Sequence, residues 1–320
     1  MISPKHKTDC TSMEKILVSV IVPNYCHSKY LDLRLQSILS QSYDNFEVII
    51  LDDNSPDNGA SKAIIEKYRN NPKISAIVYN EINSGSTFKQ WEKGITLAKG
   101  ELIWIAESDD YCEKDFLNKC VSKWEQNKTT SFVYTSSTLV DAENKILDIK
   151  DIAESIPEGL YEGKNFISEF MYKENSVWNA SAVVFQKKFA SSIDKDFMEF
   201  KSAGDHLFWI KLAELGPVYH LNEKLNYFRQ HLQKVTPEKT KKGILHLEEL
   251  KIFQYVSQKH GLSFSKKLRA YCRNLRSIAN TTFDNKETRK QLLSAWKANN
   301  VFLYYISQLR IMVKKYLKII

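Results

Sequence analysis

Apolar residues in the first third of this chain come in short unbroken runs, separated by turn formers and by stretches of helical period. Residues 16–22 (Ile-Leu-Val-Ser-Val-Ile-Val) run up to Pro23, and Phe46–Leu51 runs up to a cluster of turn formers at 52–59. Residues 74–79 and 102–106 are further runs of this kind. Runs with so little alternation predict strands buried on both faces, as in a parallel sheet. Between them, Leu31, Leu33, Leu35, Ile38 and Leu39, then Ile64, Ile65 and Tyr68, then Phe88, Trp91, Ile95 and Leu97-Ala98 mark helices. Ser28 stands where it can cap the first of these helices. Strand and helix alternate at short connections, which predicts right-handed βαβ units and an α/β fold with a mostly parallel central sheet flanked by helices.

The rhythm then loosens. Phe116 to Trp124 predicts a helix, 132–140 a strand, and 141–162 an irregular polar loop holding Pro157 and Gly159. A helix at 166–171, a strand at 178–185, a helix through Leu207, Phe208 and Ile210, and a strand at 217–227 follow. After Lys241 the strand signal stops. Three helical stretches are expected there, around 245–256, 268–278 and 301–320.

Composition adds compartment and charge. The 320 residues suffice for a large domain with an appendage, or for two domains. Five cysteines with no CxxC pair suggest neither a disulfide framework nor a zinc site, which favours a reducing, cytoplasmic setting. Met1–Lys15 is a polar arm without the apolar core of a signal peptide, and no uncharged apolar run of membrane-spanning length occurs. The net charge of +8 is uneven. Residues 241–320 hold 17 Lys and Arg against 4 Asp and Glu (+13), and the remainder holds 29 against 34 (−5). A basic tail on an acidic body suggests an anionic partner such as the cytoplasmic face of a membrane, or a helical bundle with a solvated basic face. Without a reader motif, no nucleic acid is expected.

The chemistry gathers at strand ends. Glu107-Ser108-Asp109-Asp110 follows the fourth predicted strand, where open α/β sheets place ligands and where paired carboxylates can hold a divalent cation. Capping of the next helix is the competing reading of these acids. The first strand-to-helix turn, Pro23-Asn24-Tyr25-Cys26-His27, lacks the Gly-x-Gly-x-x-Gly of dinucleotide sites, and no Walker A sequence occurs. Asp205 opens a predicted helix, where free N–H groups favour an ionised carboxylate.

Four stretches in order carry a resemblance: Val18-Ser-Val-Ile-Val-Pro-Asn-Tyr25, Leu51-Asp-Asp-Asn-Ser-Pro-Asp57, Gly94-Ile95 with Ala98-Lys-Gly-Glu101, and Ser108-Asp-Asp110. Together they resemble glycosyltransferase family 2, over roughly residues 16–232. The resemblance implies a GT-A fold and inverting sugar transfer from a nucleotide-sugar, a UDP-sugar by expectation, to a glycan or lipid-linked acceptor of bacterial cell-surface polysaccharide type. With it the chain divides into the polar arm at 1–15, a glycosyltransferase domain at 16–240 with a nucleotide half (16–112) and an acceptor half (113–240), and the basic helical tail at 241–320. Pro23, Asn24, Tyr25, Asp52, Asp53, Lys89 and Asp109 would bind the nucleotide. Asp110 would ligate Mn2+ or Mg2+, joined by His231, and Arg229 would contact the diphosphate. Trp178 and Asn179 would face the acceptor, and Asp205 in Gly-Asp-x-x-Phe-Trp would be the general base. Two departures stand out. Cys26 replaces the usual Asn, and Trp91-Glu92 replaces the frequent Arg-Asn, so Lys89, nearby on the same predicted helix, is the candidate replacement. A nucleotidyltransferase would carry a Gly-rich basic loop after the first strand, and a non-catalytic nucleotide-sugar-binding subunit would lack Asp205.

Overall fold

The computed structural model describes residues 15–231 and 235–317, without the side chains of 235–237, so the polar arm lies outside the described residues apart from Lys15. The alternating pattern folds as expected: β1 (Val18–Asn24), α1 (Ser28–Leu39), β2 (Phe46–Asp52), α2 (Ala60–Lys67), β3 (Ile74–Tyr79), α3 (Thr87–Leu97) and β4 (Leu102–Ile105). These four strands are parallel, ordered β3-β2-β1-β4. Every residue of β1, β2 and β4 is buried. The reason is visible in the two faces. Val20, Val22, Val48, Ile50 and Trp104 join Leu31, Leu35 and Ile38 of α1 in one apolar cluster. Ile21, Ile49, Leu51, Ile103 and Ile105 join Phe88, Trp91 and Ile95 of α3 in the other.

The second half is β5 (Tyr111–Cys112), α4 (Phe116–Gln126), β6 (Phe132–Val140), β7 (Gly159–Tyr161), α5 (Gly163–Phe166), β8 (Val183–Gln186), α6 (Lys187–Ser192), α7 (Gly204–Ala213) and β9 (Val218–Arg229). It extends the same sheet as β4-β8-β6-β9-β5, with β7 also on β9. Here β8 runs antiparallel to β4 and β6, while β6 and β9 are parallel. The chain reverses its direction of travel across the sheet between β1 and β4, the position at which open α/β sheets form a crevice. Gly100 lets β1 pass close by: a Cβ there would lie 2.6 Å from the Leu17 carbonyl oxygen.

Three local expectations change. The strand expected at 178–185 begins only at Val183, because the Asn179 side chain accepts from the Ser181 N–H and winds residues 180–182 into a 3-10 turn. The 166–171 helix is α5 running on into a π-helical turn at Ile167–Met171. The 141–162 loop is partly ordered: Asp151 and Glu154 form a capping box over a 3-10 turn, and β7 follows.

Among the described residues, α8 (Val235–Lys241) leads into the tail, which holds α9 (Ile244–Lys259), α10 (Phe264–Asn280), α11 (Lys286–Asn299) and α12 (Val301–Tyr316). Sequence reading missed α8 and α11, and α11 buries only Leu292 and Trp296, too few to set a clear period. Phe253, Val256, Tyr271 and Trp296 share one apolar cluster with Phe208 and Trp209 of α7. Arg273 pairs with Glu174 at 3.1 Å, and Lys259 and His260 both reach Glu214.

Candidate functional site

Beyond the carboxyl ends of β1, β2 and β4 lies a cleft of about 710 Å³. It is lined by Pro23, Asn24, Tyr25, Asp53, Asp109, Asp110, Trp178, Asn179, Asp205 and His231 from the expected set. Asp52, Lys89 and Arg229 do not line it.

On the first side, residues brought level by strand register bind one another. Asn24 and Asp52 are register partners, and the Asn24 amide donates to Asp52 at 2.7 Å. Asp52 also accepts from the Ser55 N–H and hydroxyl, so it holds the turn instead of facing the cleft. Asp53 Oδ1 accepts from Asn80, the Ser84 N–H and Gln90, and its Oδ2 accepts from the Ser84 hydroxyl. It thereby ties the 83–86 loop to the rim. Tyr25 is 45% exposed and offers a flat ring to a base. Cys26 sits at φ 59°, a left-handed backbone that Asn tolerates better than most residues, which gives a physical reason for Asn as the usual occupant. Lys89 turns outward to the Ser84 carbonyl at 3.2 Å.

The two acids of the cluster take different partners. Asp110 Oδ1 accepts from the Arg229 N–H at 2.9 Å and Oδ2 from the Asn179 amide at 2.8 Å. Its carboxylate thus joins the end of β9 to the turn before β8. Asp109 instead lies with Oδ2 2.9 Å from His231 Nε2. Among the described residues, His27, Asp109 and His231 form the one group of three such side chains whose ligand atoms lie within 4.8 Å of each other. His27 Nδ1 is 2.9 Å from the Ser108 hydroxyl. The His231 side chain is 3% exposed, and its Nδ1 has no hydrogen-bond partner among the described residues. Two imidazoles and a carboxylate are a donor set that suits a divalent cation, so the residues fit the metal that the family resemblance implies. Arg229 is buried behind them. Its guanidinium donates to the Asp109, Asp141 and Asn144 oxygens and lies 4.4 Å from the Tyr30 ring centre. It anchors the strand end that delivers His231 and does not reach into the cleft. Glu107 accepts from the Trp91 indole at 2.7 Å, and burial pushes its carboxyl up to about 8.

Across the cleft, Asp205 occupies the first turn of α7. Its Oδ2 accepts from the Asn175 amide at 2.8 Å. Burial raises its carboxyl to about 7, against the opposing pull of the N–H groups at the helix start. Gly204 permits this entry, since a Cβ there would lie 2.5 Å from both the Phe197 carbonyl oxygen and the Phe88 ring. The neighbouring His206 points away to the Met171 carbonyl, and burial lowers it to about 4. Glu248 of α9 accepts from three consecutive backbone N–H groups, at Lys201, Ser202 and Ala203, between 2.6 and 2.9 Å. The tail therefore secures the loop from which Asp205 springs. His27, Gln90 and Glu248 were missed by sequence reading. A lone His in a turn and a Glu in a distant helix carry no motif, whereas Glu107 lay inside the acidic cluster already singled out.

Residues 19–168 match the sequence profile of Glycosyl transferase family 2. The chain is 26% identical over 220 residues to a chondroitin synthase of Escherichia coli, covering 68% of this chain and 30% of that protein. It is 26% identical over 217 residues to the poly(ribitol-phosphate) beta-N-acetylglucosaminyltransferase TarP of Staphylococcus aureus, covering 66% and 62%. The chain thus matches less than two thirds of the length of either relative. Residues 1–349 of S. aureus TarS, solved in complex with UDP-GlcNAc, superpose with a TM-score of 0.60 at 20% identity, covering 91% of this chain and 90% of that one. That likeness speaks to the fold, which is GT-A.

Proposed function

We propose that this chain, which belongs to Glycosyl transferase family 2 through residues 19–168, moves a sugar from a nucleotide-sugar, by expectation a UDP-sugar, to a hydroxyl of a glycan or lipid-linked glycan. The observation that carries the reading is one cleft with strand-end acids and imidazoles on one wall and a carboxyl raised to about 7 on the other. Tyr25 and the rim tied down by Asp53 suit the base and ribose. Asp109 and His231 are the groups to hold a divalent ion, which when bound would offset the charge of the departing diphosphate. Asp110 and Arg229 take supporting roles and keep Asp109 and His231 in register. Asp205 accepts the proton of the acceptor hydroxyl, whose oxygen attacks the anomeric carbon opposite the diphosphate. Single displacement requires no enzyme nucleophile. Trp178, 38% exposed on the cleft wall, and Asn179 suit the acceptor side. The test is a panel of nucleotide-sugars with manganese or EDTA, read by melting temperature and by released nucleoside diphosphate. A binding donor at 100 times its dissociation constant should stabilise the fold by about 2.7 kcal/mol. If no nucleotide-sugar shifts the melt under either condition, the reading fails.

We further propose that α12 attaches the chain to an anionic lipid surface. No helix among the described residues is long and apolar enough to cross a membrane. Phe302, Tyr305, Leu309, Met312 and Tyr316 are each more than half exposed, on a helix that also carries Arg310, Lys314 and Lys315. An exposed apolar stripe beside basic residues complements anionic headgroups over an acyl boundary. Flotation with phosphatidylglycerol vesicles at low salt should carry the protein. Leu309→Glu with Met312→Glu should abolish flotation, and pairing of copies through α12 without flotation would replace the proposal.

A further inference from the structure

We infer that His27 is a third protein ligand of the divalent-cation site, making it a two-imidazole, one-carboxylate centre that prefers manganese-type ions to magnesium. The inference rests on the proposed donor site and concerns what that site accepts.

His27 immediately precedes α1, yet its side chain does not cap that helix, so local helix chemistry does not account for it. The ring is instead directed across 81 residues of sequence to the Ser108 hydroxyl, the residue before Asp109. This contact sets the ring edge-on to His231, with centroids 5.4 Å apart and planes at 87°. Two donors bound side by side to one ion lie about 3 Å apart, and opposite donors about 4.2 Å, given metal–nitrogen distances near 2.1 Å. Asp109 and His231 already stand at the side-by-side separation, at 2.9 Å. The widest gap in the trio, no more than 4.8 Å, closes with side-chain movement of about 1 Å.

The donor types then set the preference. Magnesium demands oxygen ligands and sheds water reluctantly, whereas imidazole suits first-row transition ions. The trio itself offers one carboxylate oxygen and two nitrogens, a donor set richer in nitrogen than magnesium takes. Diphosphate oxygens would complete the shell.

Electron paramagnetic resonance of the full chain with Mn2+ and UDP tests this without reference to turnover. Pulsed spectra should show 14N couplings from two imidazoles in the wild type and from one in His27→Gln. Free-Mn2+ titration should show binding weakened at least tenfold in that variant, with Mg2+ displacing Mn2+ more readily than in the wild type. One imidazole coupling in the wild type, with Mn2+ affinity unchanged in His27→Gln, would overturn the His27 assignment and leave the proposed transfer reaction intact. Wild-type protein that binds no Mn2+ with or without UDP would overturn the metal site altogether. The wild-type spectra keep the question decidable even if the variant does not fold.

Discussion

The two walls of the cleft are built on opposite principles. On the donor wall, Asn24, Asp53 and Asp110 sit at the ends of parallel strands or in the loops just beyond them; Asn24 donates to Asp52 behind it, and the Asp53 and Asp110 carboxylates accept from nearby amides, hydroxyls and N–H groups. Their pairing gives a preformed recess whose shape follows from strand register. On the acceptor wall, Asp205 has one side-chain partner and a carboxyl raised by burial. Its loop is held by Glu248, a residue of the helical tail. The comparison teaches that hydrogen-bonded carboxylates make geometry, while a desolvated one makes a base near neutral pH.

The sharpest way to break this contrast is Asp205→Asn. The amide keeps the shape but cannot take a proton, so transfer should fall by about 10²–10⁴ while donor binding stays. In the wild type, the transfer rate should drop about tenfold per unit below pH 7, since only ionised Asp205 is a base. A carboxyl raised to about 7 in the folded state binds its proton more tightly than in the unfolded chain. Its contribution to stability is therefore full below the ordinary carboxylate pKa and is lost as pH rises to about 7. Asp205→Asn should flatten that part of the stability curve. Near-normal transfer by a folded Asn variant would remove Asp205 from the mechanism.

Next in size is Glu248→Ala. It leaves three backbone N–H groups at 201–203 without their carboxylate, which should cost about 3 kcal/mol in urea denaturation. Transfer should suffer more than donor binding, because the loop feeds the acceptor wall. Equal losses of both would mean that the two walls are not independent. The smallest effect belongs to Tyr25→Ala. Loss of a half-exposed stacking surface should weaken UDP binding about tenfold by calorimetry, with the fold untouched. A Tyr25→Phe variant should restore it, since the ring face is what matters.

Much of the donor wall was legible in the sequence because strand ends announce themselves. An apolar run ending in Pro23-Asn24-Tyr25, or in Asp52-Asp53, fixes both the strand and the side of the sheet on which its polar end must lie. The acidic cluster after β4 was legible for the same reason. Which partners each of its acids takes was not. Asp109 and Asp110 differ by one residue, and only the arrival of β9 decides that Arg229 and Asn179 bind the second and His231 meets the first.

Local pattern also located α7 and its leading Asp205, but not the burial that raises the carboxyl, because that burial comes from elements distant in sequence. The tail was read as basic helices, with no sign that Glu248 would reach the loop before α7. The sequence by itself determined the alternation of strands and helices, since periodicity and turn chemistry are local properties. The tertiary structure decided which partners each acid takes, the convergence of His27 on Asp109, and the electrostatic state of Asp205. Each of those depends on groups 30 to more than 80 residues apart coming within a few ångströms, where desolvation and hydrogen bonding, not residue type, set what a side chain can do.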